Sequence, residues 1–190
     1  LPPEAVEDIR MGCGNPEGAQ GHNVGRNAAV LSNLPITTGG TTITRYCSSG
    51  MQSISMAASQ IMAGCYDTVI AGGAETISMM QGKQNMDNFV NERLAEKSPG
   101  IYYTMGMTAE VVAKRYNVSR EAQDEYALES QMRTAAAQQS GAYDDEIIPM
   151  EPKMLLMNKE TGDSKEIDYC LEKAECNIHK TTLDRLDYLN

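Results

Sequence analysis

The chain lacks tryptophan altogether and has one phenylalanine and two histidines in 190 residues. Thirteen methionines stand against that scarcity of rings, so the core is expected to be filled by flexible aliphatic side chains. Positive charge is also short: 16 Lys and Arg face 26 Asp and Glu, for a net charge of -10. Binding phosphate along a nucleic acid needs clustered basic residues, and none cluster here, which argues against such a partner. No apolar run approaches the ~20 residues of a membrane span and no signal peptide opens the chain, which predicts a soluble protein of the cell interior. The five cysteines, Cys13, Cys47, Cys65, Cys170 and Cys176, are odd in number and irregularly spaced. That suits free thiols in a reducing compartment better than a disulfide framework. A chain of this length can bury a real core and ordinarily holds one or two domains.

What is present organises into alternating elements. Residues 9–12 read as a short strand running into a turn rich in Gly and Pro over 14–21, followed by a helix over 23–32 that Asn33 and Pro35 stop. Gly39 and Gly40 break the chain before a strand over 41–44. A helix is predicted over 47–64, from the spacing of Met51, Ile54, Ala58 and Ile61, and residues 68–71 have the continuous apolar character of a buried strand. Strand, helix and strand in that order predict a layered α/β core. After Ser78 the composition shifts to Met, Gln, Asn and charged residues, and the second part is expected to be mostly helical. Helices are predicted there over 108–116 and 120–139, the latter with Ser119 as N-cap, Glu121 in its first turn and Gly141 as its stop.

Cys47 is the candidate catalytic residue. It follows a β-branched run and opens the helical pattern, so it is expected at a helix N-terminus, where unpaired amides and the helix dipole favour the nucleophilic thiolate. A buried structural cysteine is the other reading, and spacing alone leaves both open.

The motifs decide between them. Cys-Ser-Ser-Gly-Met-Gln-Ser-Ile at 47–54, Ala-Gly-Gly-Ala-Glu-Thr-Ile-Ser at 71–78 and Met-Gly-Met-Thr-Ala-Glu at 105–110 resemble the thiolase family in order and spacing. The match continues through Ser119, Arg120, Glu121, Asp124, Ala127, Ser130 and Gly141 to Asp-Glu-Ile-Ile-Pro at 145–149. Within that family the sequence around Cys47 looks most like bacterial 3-ketoacyl-CoA thiolases and acetyl-CoA acyltransferases. The resemblance implies a partial αβαβα core over 1–78 and an inserted, mostly helical loop domain over 79–190 that covers the core and contacts coenzyme A. It also implies that the chain is an N-terminal part of a thiolase subunit. The Gly-His-Pro histidine, the Asn-Glu-Ala-Phe-type motif and the second cysteine of the family have no counterpart here, since His22 lies in Gly-His-Asn and His179 in Ile-His-Lys.

By the same resemblance Cys47 attacks the keto carbon of a 3-ketoacyl-CoA and holds the shortened acyl group as a thioester, with its own amide as an oxyanion donor. Met105 matches a methionine bordering the acyl pocket, and Thr104 stands where short-chain biosynthetic thiolases carry a histidine, which favours the degradative reading with broader chain length. At 176–182 the family's arginine, proline and aspartate are replaced by Ile178, His179 and Lys180, leaving Lys180 to meet phosphate. Acyl-CoA and coenzyme A are the implied partners, coenzyme A being a substrate, with no separate cofactor. A homodimer or homotetramer in the bacterial cytoplasm is implied as well. Condensation of two acetyl-CoA molecules, a non-catalytic acyl-CoA-binding or assembly fragment, and a ketoacyl synthase, which shares the architecture, are the alternatives.

Other signals are weaker. Cys170, Cys176 and His179 lack the paired Cys-x-x-Cys of a zinc site. Gly18, Gly21 and Gly25 fit neither a dinucleotide fingerprint nor a Walker loop. Asn117-Val118-Ser119 is a glycosylation sequon whose serine already has a capping role. Cys13 and Cys65 are expected to be packed thiols, and Gly72 and Gly73 to permit close backbone approach.

Overall fold

The computed structural model describes residues 1–186; residues 187–190 of the expected loop domain lie outside the described residues. The chain divides into two compact units, Leu1–Asn91 and Glu92–Asn190, a division some way after the compositional shift at Ser78. No helix among the described residues is long and apolar enough to cross a membrane.

The first unit is built on a three-stranded parallel sheet of β1 (Asp8–Gly12), β2 (Gly39–Ile43) and β3 (Val69–Gly73), in the order β2-β1-β3. Helix α1 (Val24–Leu31) joins β1 to β2, and α2 (Ser49–Met62) carries the chain back over β1 to β3. Because the two crossovers run in opposite directions, right-handed connection puts the helices on opposite faces of the sheet. Side chains agree with this. Ala29 of α1 packs with Val6, Ile9, Met11 and Leu34, whereas Gly12, on the other face of β1, lies against the start of α2. Burying Ile9 to 4 % exposure contributes roughly 2 kcal/mol. Asn23 caps α1, its side chain accepting from the Arg26 amide at 3.1 Å. A short helix, α3 (Ile77–Met80), follows β3 and buries Met80.

The residues of α2 that face the sheet are Ser49, Ser53 and Ala57, while Met51, Ile54 and Ile61 are exposed. Small side chains are needed on the inner face because the helix backbone lies directly on the sheet; Ser53 Oγ donates to the Gly72 carbonyl of β3 at 2.8 Å. One expectation is corrected here: residues 68–71 do not form a strand covered on both faces. β3 pairs only with β1 among the described residues, and Ile70 is 43 % exposed.

The second unit contains α4 (Glu92–Lys97), α5 (Met105–Tyr116), α6 (Arg120–Gln139), an antiparallel hairpin of β4 (Lys153–Met157) and β5 (Ser164–Asp168), and α7 (Leu183–Leu186). Helix α6 has the predicted bounds. Ser119 accepts from the Ala122 amide at 3.2 Å, and Gly141, in the left-handed region at φ 72°, ends it. The Glu121 backbone amide, and after it the Ser119 hydroxyl, hold the Glu121 carboxyl below its ordinary value. Helix α5 begins three residues earlier than the pattern suggested, because Thr104 caps it by accepting from the Met107 amide at 3.2 Å. The hairpin was not anticipated. The stretch after it lies along α6, where Gln131 Oε1 accepts from the Ile178 amide at 2.7 Å and Gln138 donates to the Ala174 carbonyl at 2.7 Å.

Candidate active site

Cys47 lies in a 3-10 turn, Tyr46–Ser48, between the end of β2 and the first residue of α2. The helix therefore opens two residues later than predicted, at Ser49. Tyr46, immediately before the thiol, has φ 48°, a left-handed conformation that costs a bulky L-residue roughly 1–3 kcal/mol. Ser49 holds the turn: its hydroxyl accepts from the Arg45 amide at 2.8 Å and donates to the Tyr46 carbonyl at 2.6 Å. Arg45 also donates to Gln52 one turn into α2. The Ser48 side chain makes no cap hydrogen bond, so the helix start beside Cys47 is not closed by its N-cap.

The sheet delivers this turn to a cleft of about 350 Å³ at the carboxyl ends of the parallel strands, lined among others by Gly12, Gly14, Tyr46, Cys47, Gly73 and Glu75. Two glycines lining the cleft permit close main-chain packing. A Cβ on Gly12 would come 2.3 Å from the Ser49 carbonyl carbon, and one on Gly73 would lie 3.1 Å from the Gly12 oxygen. The close approach expected of the Gly72-Gly73 pair is thus made by Gly73.

Burial separates the thiols. Cys47 is exposed, whereas Cys13, at the end of β1, is 1 % exposed and donates to Glu75 Oε1 at 3.7 Å. Burial, then the nearby Glu75 charge, pushes the Cys13 thiol up, which disfavours its thiolate. Cys65 is exposed rather than packed, because it follows the left-handed Gly64 in the surface turn after α2. Cys170 is exposed too, and local desolvation followed by Glu172 raises its thiol. Among the described residues no three His, Cys, Asp or Glu side chains gather as metal ligands.

The remaining predicted site residues lie in the second unit. Thr104 and Met105 are adjacent at the start of α5, Thr104 as its cap and Met105 with 72 % of its surface exposed. Lys180 is exposed in the turn before α7, and its carbonyl accepts from Arg185 at 3.4 Å. Sequence reasoning did not single out Glu75. Its signal was a charged residue set just past a Gly-Gly pair at a strand end, inside a motif already recognised.

A parallel α/β layer carrying an exposed thiol on a strained strand-to-helix turn is an arrangement that can serve covalent, nucleophilic chemistry. Three comparisons narrow this. The family model described as the thiolase N-terminal domain matches residues 1–190. The 3-ketoacyl-CoA thiolase of Bacillus subtilis is 49 % identical over 148 residues, covering 77 % of this chain and 37 % of its own length. The acetyl-CoA acetyltransferase of Chromobacterium violaceum is 39 % identical over 161 residues, covering 78 % of this chain and 40 % of its own. Among solved structures, the Bacillus anthracis acetyl-CoA acetyltransferase superposes with a TM-score of 0.73 at 31 % identity, over 99 % of this chain and 48 % of that one. The chain belongs to the thiolase family. It spans less than half the length of these relatives.

Proposed function

We propose that Cys47 is the acyl-carrying nucleophile of a 3-ketoacyl-CoA thiolase acting in fatty acid degradation. The observation that carries this reading is the exposed Cys47 thiol on the strained turn at the carboxyl-end cleft of the parallel sheet. The thiolate attacks the keto carbon, and the bond between that carbon and its neighbour on the coenzyme A side breaks. The acyl group stays on sulfur as a thioester, and the departing acetyl-CoA enolate takes a proton. A second coenzyme A thiol then attacks the thioester and expels the Cys47 thiolate. The amide of Cys47 is the oxyanion donor, a contribution of roughly 3 kcal/mol to the barrier. The base histidine and the acid cysteine are assigned to parts of the protein with no counterpart in these residues.

The second unit is read as the loop domain. An exposed Met105 at the opening of α5 supports its use as a wall for the acyl chain, and an exposed Lys180 its use against phosphate. Thr104, a cap without an imidazole, favours the degradative direction over acetoacetyl-CoA formation. Condensation of two acetyl-CoA molecules is the second reading, supported by the similarity to the acetyl-CoA acetyltransferases of Chromobacterium violaceum and Bacillus anthracis. Assembly as a homodimer or homotetramer in a bacterial cytoplasm completes the proposal, supported by an edge of β3 that pairs with no strand among the described residues and by the bacterial relatives.

Exchange of labelled coenzyme A into acetyl-CoA, with no other substrate present, tests the acyl-enzyme. The protein expressed from its native gene is expected to catalyse the exchange, and the Cys47→Ala variant to lose it. Exchange that survives in Cys47→Ala contradicts the reading.

A further inference from the structure

Beyond the nucleophile itself, the cleft contains one carboxylate, Glu75, two residues past the end of β3. Both of its oxygens accept hydrogen bonds. Oε2 accepts from the Gly14 amide at 2.5 Å, and Oε1 accepts from the Gln20 side-chain amide and from the Cys13 thiol at 3.7 Å. All of these donors belong to the segment that follows β1, so a side chain at the end of one strand grips the turn at the end of its neighbour. From the opposite side, Thr44 Oγ1 donates to the Gly14 carbonyl at 3.0 Å, and the Cys13 amide donates to the Ile43 carbonyl at 3.0 Å. The Cys13-Gly14 turn is thereby tied to both neighbouring strands.

Tyr46 lies beside that turn, lining the same cleft. A Cβ on Gly14 would lie 2.8 Å from Glu75 Oε2 and in ordinary contact, 3.6 Å, with Tyr46 Cα, so Gly14 is next to both the carboxylate and the residue preceding Cys47. A left-handed tyrosine persists only where its surroundings over-determine it. We infer that Glu75 is a positioning residue for Cys47: its carboxylate clamps the Cys13-Gly14 turn, and that turn fixes the Tyr46-Cys47 backbone on which the thiol is presented. This rests on the thiolase reading of Cys47 and adds a residue to it. A carboxylate is needed because every partner is a donor. An amide would turn an NH2 toward one of them, and aspartate would fall short by one methylene.

The test is the single-turnover rate of Cys47 acylation by acetyl-CoA, followed by peptide mass per folded molecule, in the protein expressed from its native gene. Glu75→Ala is expected to slow acylation by about 100-fold, the scale of a 1 Å misplacement, with little change in KM, and Glu75→Gln to restore part of the loss. Gly14→Ala, which drives a methyl group into the same contact, is expected to reproduce the defect without adding to that of Glu75→Gln; these two variants decide the matter if Glu75→Ala fails to fold. A purely structural role would lower the melting temperature and leave the rate per folded molecule at the unaltered value, and that result overturns the inference while leaving the role of Cys47 intact. Absence of acylation in the unaltered protein overturns both.

Discussion

Gly12 and Ser49 are packed backbone to backbone: a Cβ on Gly12 would lie 2.3 Å from the Ser49 carbonyl carbon and 2.5 Å from the Gly50 amide nitrogen. This contact sets the height of α2 above β1, and with it the place of the turn that holds Cys47. Gly12→Ala is therefore expected to destabilise the protein by about 3 kcal/mol, because the obstruction is main chain and cannot rotate away. Gly50→Ala, which would meet nothing within 4 Å, is expected to be neutral or to stabilise by up to about 1 kcal/mol through helix propensity. Chemical denaturation of the two variants checks the contrast.

The sheet also contains a buried ion pair. Arg10 donates to Asp8 Oδ2 at 2.6 Å, with side chains 10 % and 4 % exposed, and Arg10 Nε has no hydrogen-bond partner among the described residues. Asp8→Asn keeps the acceptor for the Ile9 amide but strands the guanidinium, and is expected to cost about 3–5 kcal/mol. Asp8→Leu combined with Arg10→Met should recover most of that loss. Equal destabilisation by the single and paired changes would contradict this account.

Stability at alkaline pH should report on Cys13. Its thiol is raised in the folded state, first by burial and then by the Glu75 charge, above the ordinary cysteine value of about 8.5 that applies once the chain unfolds. The contribution is fully present below that unfolded value. As pH climbs past it the unfolded chain releases the proton and the fold does not, so stability falls until the folded thiol titrates as well. Cys13→Ala is expected to flatten this alkaline decline in denaturation midpoints taken from pH 7 to pH 10. An unchanged decline would mean that other groups set it.

Much of this was legible from local chemistry. The ends of α6 follow from Ser119 and Gly141, whose roles as cap and stop depend only on adjacent backbone. The alternation of strands and helices through β3 follows from apolar runs and glycine breaks, and Cys47 from its motif. The facing of α2 was not legible, because Met51, Ile54 and Ile61 make a helical stripe as regular as that of Ser49, Ser53 and Ala57, and periodicity does not say which stripe meets the sheet. The hairpin of β4 and β5 escaped notice because its strands are short and mostly exposed, with little apolar alternation to betray them. The Glu75 clamp joins residues near positions 14, 20 and 75, which only the pairing of β1 with β3 brings together.

The central claim is that Cys47 carries the acyl group, and peptide mass mapping after brief exposure to acetyl-CoA tests it most directly. The account predicts an acetyl increment on the Cys47 peptide, absent from the Cys13, Cys65, Cys170 and Cys176 peptides and discharged by free coenzyme A. An unlabelled Cys47 that iodoacetamide still alkylates, or an increment on another cysteine, would contradict it.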